Sequence, residues 1–145
     1  MPMTDHMERR ARDVLLFSFE GGATRESLEA SRRANIEVFQ EEGGVNFILL
    51  MKASAPLPSE EVRAESKKVA QEVRSNLRSQ ALVILGEGFG AAAHRALIST
   101  FLLFQRPGHP SKVFSDVESA LDWQEKFWLS ASRDHVESAA QELLS

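Results

Sequence analysis

The sequence predicts an α/β fold, with a mostly parallel central sheet and alternating amphipathic helices in one domain over residues 1–145. Three observations carry that expectation. Four strand-length apolar segments begin at Val14, Val45, Ala81 and Val113. Helix-length segments with one-sided apolar patterns lie between them. Glycine and proline punctuate the joins: Gly21 and Gly22, Gly43 and Gly44, the GEGFG turn over 86–90, and Pro107, Gly108 and Pro110. Parallel neighbours need a long crossover connection, so strand and helix in regular alternation read as a parallel sheet with both faces covered.

Residues 13–20 (DVLLFSFE) alternate, with Leu15, Phe17 and Phe19 on one side and Val14, Leu16 and Ser18 on the other, as a strand with an apolar face does. Residues 1–12 are expected to add a short antiparallel edge strand, with its turn within 8–12. Thr24 is placed to cap a helix that runs to about Glu42. Leu28, Ser31, Ala34, Asn35, Val38 and Phe39 share a face of that helix. Asn35 reads either as a buried polar anchor or, more simply, as an edge residue reaching water or a backbone group.

The run at 45–51, VNFILLM, is too uniformly apolar for a half-solvated strand and suits the centre of a parallel sheet, beside the strand at 81–85. Pro56 and Pro58 force extended backbone in the next loop, and Ser59 is placed to cap a helix with Glu60 and Glu61 in its first turn. Val62, Val69, Val73 and Leu77 line one side of this helix. Arg63, Lys67, Lys68, Arg74 and Arg78 line the other, which reads as a solvated face.

The helix after GEGFG differs from the first two. Ala93, Ala96, Leu97, Phe101, Leu103 and Phe104 make a wide face suited to the sheet, and Ala91, Ile98 and Leu102 make a second apolar patch. A helix apolar on two sides has two things to touch. The second contact is expected to be another subunit or a partner protein, which makes Ala91, Ile98 and Leu102 the candidate interface, or else the C-terminal tail folding back. Further on, Ser115 and Glu118 have capping-box spacing. Val117, Ala120, Leu121, Phe127 and Trp128 give the following helix its buried face. Residues 132–145 form a helical tail with Val136, Ala139, Ala140 and Leu143 as its stripe, and the pattern alone leaves open whether 130–132 break the helix.

At 145 residues and 43% hydrophobic, the chain has enough material for one real core and no mark of a disordered or fibrous class. A formal charge of −4 argues against an electrostatic nucleic-acid surface. The absence of cysteine excludes disulfides, thiolate catalysis and cysteine metal sites. The N-terminal MPMTDHMERRAR lacks the apolar core of a secretory signal. The longest apolar region, around 91–104, is interrupted by His94 and Arg95 and is too short to span a bilayer. A soluble cytoplasmic protein is the expectation.

No constellation points to catalysis. A strand, a glycine turn and a helix N-terminus can cradle phosphate, but GEGFG lacks both the GxGxxG and the GK[ST] spacing, and Glu87 sits where an anion would have to go. His6, His94, His109 and His135 are scattered without metal-ligand spacing, and no G-x-S-x-G elbow marks a nucleophile. The expectation is a protein that is not an enzyme and needs no cofactor or metal.

The strings LLFSFEGGAT, VNFILLMK, ALVILGEG and SKVFSDVESALDW, in this order over about 13–128, resemble the STAS domain in its SpoIIAA-like form, the fold of anti-sigma-factor antagonists. The resemblance implies a regulatory module, without enzymatic activity, that binds a protein partner. In that family a serine at the start of the helix after the second parallel strand is phosphorylated within Asp-Ser-x-Gly. That motif is absent from KASAPLPSEE, and by position the resemblance offers Ser59, with Ser54 as the other nearby serine. Phosphate at Ser59 would meet Glu60 and Glu61, so a capping role competes with a regulatory one. The alternative reading is a small-ligand or lipid-binding domain that uses an apolar cleft. An enclosed cavity with a few convergent polar groups would favour that alternative, and a flat exposed apolar patch would favour the partner.

Overall fold

The computed structural model describes residues 6–19, 23–52, 59–105 and 108–145, apart from the side chains of His6 and of residues 100–105. Its elements run β1 (His6–Ala11), β2 (Val14–Phe19), α1 (Arg25–Glu42), β3 (Val45–Lys52), α2 (Glu60–Val73), β4 (Leu77–Leu85), α3 (Phe89–Gln105), β5 (Ser111–Phe114), α4 (Val117–Gln124) and α5 (Arg133–Leu144). They form an α/β structure with one five-stranded sheet in the order β1-β2-β3-β4-β5. β1 is antiparallel to β2, and every other pair is parallel. The two central runs are neighbours as expected, with Ile48 opposite Ala81 and Leu50 opposite Val83.

Strand alternation divides the core into two layers. On one face Val14, Leu16, Ile48, Leu50, Ala81 and Val83 pack with Ala120 and Leu121 of α4 and with Val136, Ala139, Ala140 and Leu143 of α5. On the other, Leu15, Phe17, Phe19, Val45 and Phe47 pack against Ala30, Ala34 and Val38 of α1. Crossovers between adjacent parallel strands are right-handed, which puts α1, α2 and α3 together on this second face. The C-terminal pair α4 and α5 covers the first.

Local chemistry sets the ends of the elements. Thr24 and Ser27 form a reciprocal capping box at the start of α1, and Gly43 closes it at φ +80, a left-handed conformation that suits glycine. β1 and β2 are joined through Arg12 and Asp13, with Arg12 at φ 58. The expected antiparallel edge strand is β1, but its turn lies at Arg12 and Asp13 and not within 8–12 as a whole, because Glu8 to Ala11 pair with Phe17 to Val14; residues 1–5 lie outside the described part.

Several expectations need correction. Leu77 belongs to β4, not α2: a 3₁₀ turn at Arg74–Asn76 ends the helix and Leu77 pairs with Val45. α2 is a lightly packed helix with only Val73 buried, and Arg63, Lys67 and Lys68 are solvated as expected. The cap of α4 is Asp116, whose carboxylate accepts the Ser119 N–H at 2.7 Å, not Ser115. A carboxylate one residue nearer the helix is the stronger acceptor for an end with free N–H groups. Asn35 is 3% exposed, and its Oδ1 accepts a bond from the Asn76 side chain at 3.1 Å, which makes it a buried anchor between α1 and the turn before β4.

Candidate functional site

The GEGFG turn ends β4 and launches α3. Gly86 and Gly88 take φ values of 140 and 93, which side chains rarely adopt, and Gly88 O accepts the Ala92 N–H at 3.1 Å as the helix begins. Glu87 and Phe89 project into solvent, and Phe89 is 91% exposed.

α3 is rotated from the orientation its sequence predicts. Ala91 is buried at 5% exposure and Ile98 is half-buried, so these two members of the expected interface face into the protein. Leu102 is within α3, but its side chain lies outside the described residues. Ala92, Ala93 and Ala96 are exposed, and Leu97, expected against the sheet, is 54% exposed. Two apolar sides on one helix give periodicity no basis for choosing between them. Arg95 makes the choice: its Nη1 donates to the carbonyls of Ile84 (3.0 Å) and Gly86 (3.2 Å) at the end of β4. Those bonds pin the side holding Ala91, Arg95 and Ile98 inward, one and two turns apart. The ridge of Phe89, Ala93 and Leu97, spaced i, i+4, i+8, therefore faces out.

Ser59 caps α2, with its Oγ accepting the Val62 N–H at 3.2 Å. Ser54 lies outside the described residues. A shallow groove of about 260 Å³ runs between α4 and α5, lined by Val117, Leu121, Ala140 and Leu144 and edged by Glu118, Arg133 and Glu137. It is open to solvent, and Arg133 is held there by Glu137 at 2.7 Å and Asp122 at 2.9 Å.

Sequence reasoning missed a buried polar network at the opposite end of the sheet. Asp13 is fully buried. Its Oδ1 accepts N–H bonds from Ser130 (2.9 Å) and Ala131 (2.8 Å), and its Oδ2 accepts from Leu129 N (2.8 Å) and Asn46 Nδ2 (2.8 Å). Asn46 Oδ1 in turn accepts from Ser79 Oγ at 2.6 Å. Burial alone would push the Asp13 carboxyl upward, but the bonds from Leu129, Ser130, Asn46 and Ala131 outweigh it and hold the group below the ordinary carboxylate range. The network explains why the chain breaks between α4 and α5, because Asp13 takes the three N–H groups a continuing helix would use. Gln124, also fully buried, donates to Phe47 O at 2.9 Å and accepts from Trp128 Nε1 at 3.0 Å, locking the same corner. The polar Asn46 inside VNFILLM is the one sequence signal that points to it.

His109 is partly buried beside β5, its Nε2 3.3 Å from Gln80 Oε1 and its Nδ1 without a partner among the described residues. Burial, and after it the nearby Arg74 charge, lower its pKa. Among the described residues no group of three or more His, Asp or Glu is placed to hold a metal ion, and no helix is long and apolar enough to cross a membrane. Comparison with protein-family models, with curated proteins and with solved structures finds no match.

Proposed function

We propose that this chain is a non-enzymatic cytoplasmic regulatory module that binds a protein partner, in the manner of a SpoIIAA-like STAS domain, and that α3 is its docking surface. The observation that carries this reading is the outward ridge of Phe89, Ala93 and Leu97 on a helix whose inner side is already engaged. Apolar surface left in water forgoes roughly 25 cal/mol per Å² of stabilisation, so a ridge of this kind gains from being covered. The small-ligand or lipid alternative needs an enclosed apolar cavity, and the groove that the described residues form between α4 and α5 is open and rimmed by charge.

The test is affinity capture with the wild-type chain and with Leu97→Lys, a change that its exposure makes compatible with folding. A partner retained by the wild type and lost by the variant is the expected result. Equal recovery by both, with circular dichroism showing both folded, would remove α3 as the docking surface.

A further inference from the structure

We propose that the open edge of β5 takes up an extended acidic segment of a partner protein as an added strand, with a carboxylate of that segment facing Lys112. The inference does not depend on the α3 ridge. β5 (Ser111–Phe114) ends the sheet: it pairs with β4, and no strand lies on its other side among the described residues. Pro110 O accepts the Gln80 N–H at 2.9 Å. By alternation the backbone groups of Lys112 and Phe114 also turn toward β4, and Ser111 and Val113 hold their N–H and C=O groups toward the open side. Both residues are partly exposed, so an incoming strand reaches them. An edge of this kind is a template for another strand.

The side chains beside the edge select what pairs with it. On the α4 side of the sheet Lys112 Nζ lies 5.5 Å from the Phe114 ring centroid, Phe114 stands 5.5 Å from Trp123, and Trp123 stands 5.3 Å from Phe127. Lys126 closes the row, its Nζ 5.2 Å from the Phe127 ring centroid. Held over rings, the two ammonium groups keep their charge, and neither has a carboxylate within ion-pair distance among the described residues. The nearby acids are engaged elsewhere: Asp116 at the start of α4, and Asp122 and Glu125 with Arg133 at 2.9 and 3.2 Å. A local cationic strip is the result, on a chain that carries −4 overall, and it is complementary to an acidic segment.

Register decides among the occupants. Two copies joined antiparallel through Ser111 and Val113 would set Lys112 of one directly opposite Lys112 of the other, where like charges destabilise. A strand with an acidic residue at that position gains from the same geometry, and its apolar residues two positions away lie alongside Phe114 and Trp123. Single-stranded nucleic acid needs open ring faces for its bases, whereas lysines sit over Phe114 and Phe127.

An NMR titration of the isotope-labelled chain with the peptide Thr-Val-Thr-Glu-Thr-Val-Thr tests the proposal. Saturable shifts centred on the Ser111 and Val113 amides are expected. Binding should be about fivefold weaker to Lys112→Glu, an exposed position, and restored when that variant meets the same peptide with lysine in place of glutamate. Val113→Pro removes an outward N–H where an edge strand tolerates proline, and should lose binding with an unchanged circular dichroism spectrum. The absence of saturable shifts, shifts that spare residues 111–113, or equal affinity of the wild type for the glutamate and lysine peptides would each overturn the proposal. So would a folded Val113→Pro variant that binds as the wild type does. Tighter binding of a thymidine oligonucleotide or of phosphatidylserine vesicles than of the glutamate peptide would overturn it in favour of that ligand. Should Val113→Pro unfold, the charge swap and the amide shifts decide.

Discussion

Replacing Asp13 by Asn removes one acceptor oxygen and its charge from the most connected buried group in the described structure. One carboxylate oxygen accepts from Ser130 N, Ala131 N and Ser130 Oγ, and the other from Leu129 N and Asn46 Nδ2. Whichever way the amide turns, its NH₂ faces donors, and at least two of them lose their acceptor. A hydrogen bond to a charged group contributes about 1.5–3 kcal/mol, and a buried donor left alone bears its desolvation cost in full. Asp13→Asn is therefore expected to destabilise the fold by about 3–5 kcal/mol, a large part of the roughly 5–15 kcal/mol a domain has. Urea denaturation measures it, and Tm should fall on the order of 10 °C. The amides of Leu129, Ser130 and Ala131 should lose hydrogen-exchange protection together. The acid side gives a second readout. The folded carboxyl titrates below its unfolded value, so its stabilisation is present above about pH 4 and is lost as pH falls through the lower, folded value. The wild type should lose stability across that window, and the asparagine variant should lack this component. A loss under about 1 kcal/mol with protection intact at 129–131 would refute the account, because it would mean those N–H groups find other acceptors.

Three further outcomes follow from single contacts. Ser59→Ala should cost about 1 kcal/mol in chemical denaturation through loss of the α2 cap, and an unchanged midpoint would show that Oγ contributes no capping. Arg12→Gly should stabilise by roughly 0.5–1 kcal/mol, since Arg12 is exposed at φ 58, a conformation glycine adopts freely; a decrease would assign the side chain a role of its own. Leu121→Ala should cost about 2–5 kcal/mol, because Leu121 is 1% exposed where α4 meets the sheet, and a smaller loss would mean that the α4 layer collapses around the gap.

The sequence by itself determined the element order, the two central parallel strands and the two-layer covering of the sheet. Those features rest on local rules: uniform apolarity in VNFILLM and ALVIL, one-sided stripes between them, and glycines or prolines where the chain must turn. Tertiary structure decided what local rules leave degenerate. Both sides of α3 are apolar, so its rotation depended on Arg95 finding carbonyls at the end of β4, and with it the exchange of Ala91 and Leu97 between inside and outside. The break between α4 and α5, which leaves Phe127 and Trp128 outside the helix expected to hold them, depended on Asp13, more than a hundred residues earlier in the chain, drawing the N–H groups of 129–131 out of helical use. Asn35 became an anchor because Asn76, on a distant turn, reached it. In each case a polar group took a partner far away in sequence, since a buried donor or acceptor is satisfied wherever the fold brings a mate, and no periodicity in the chain records where that is.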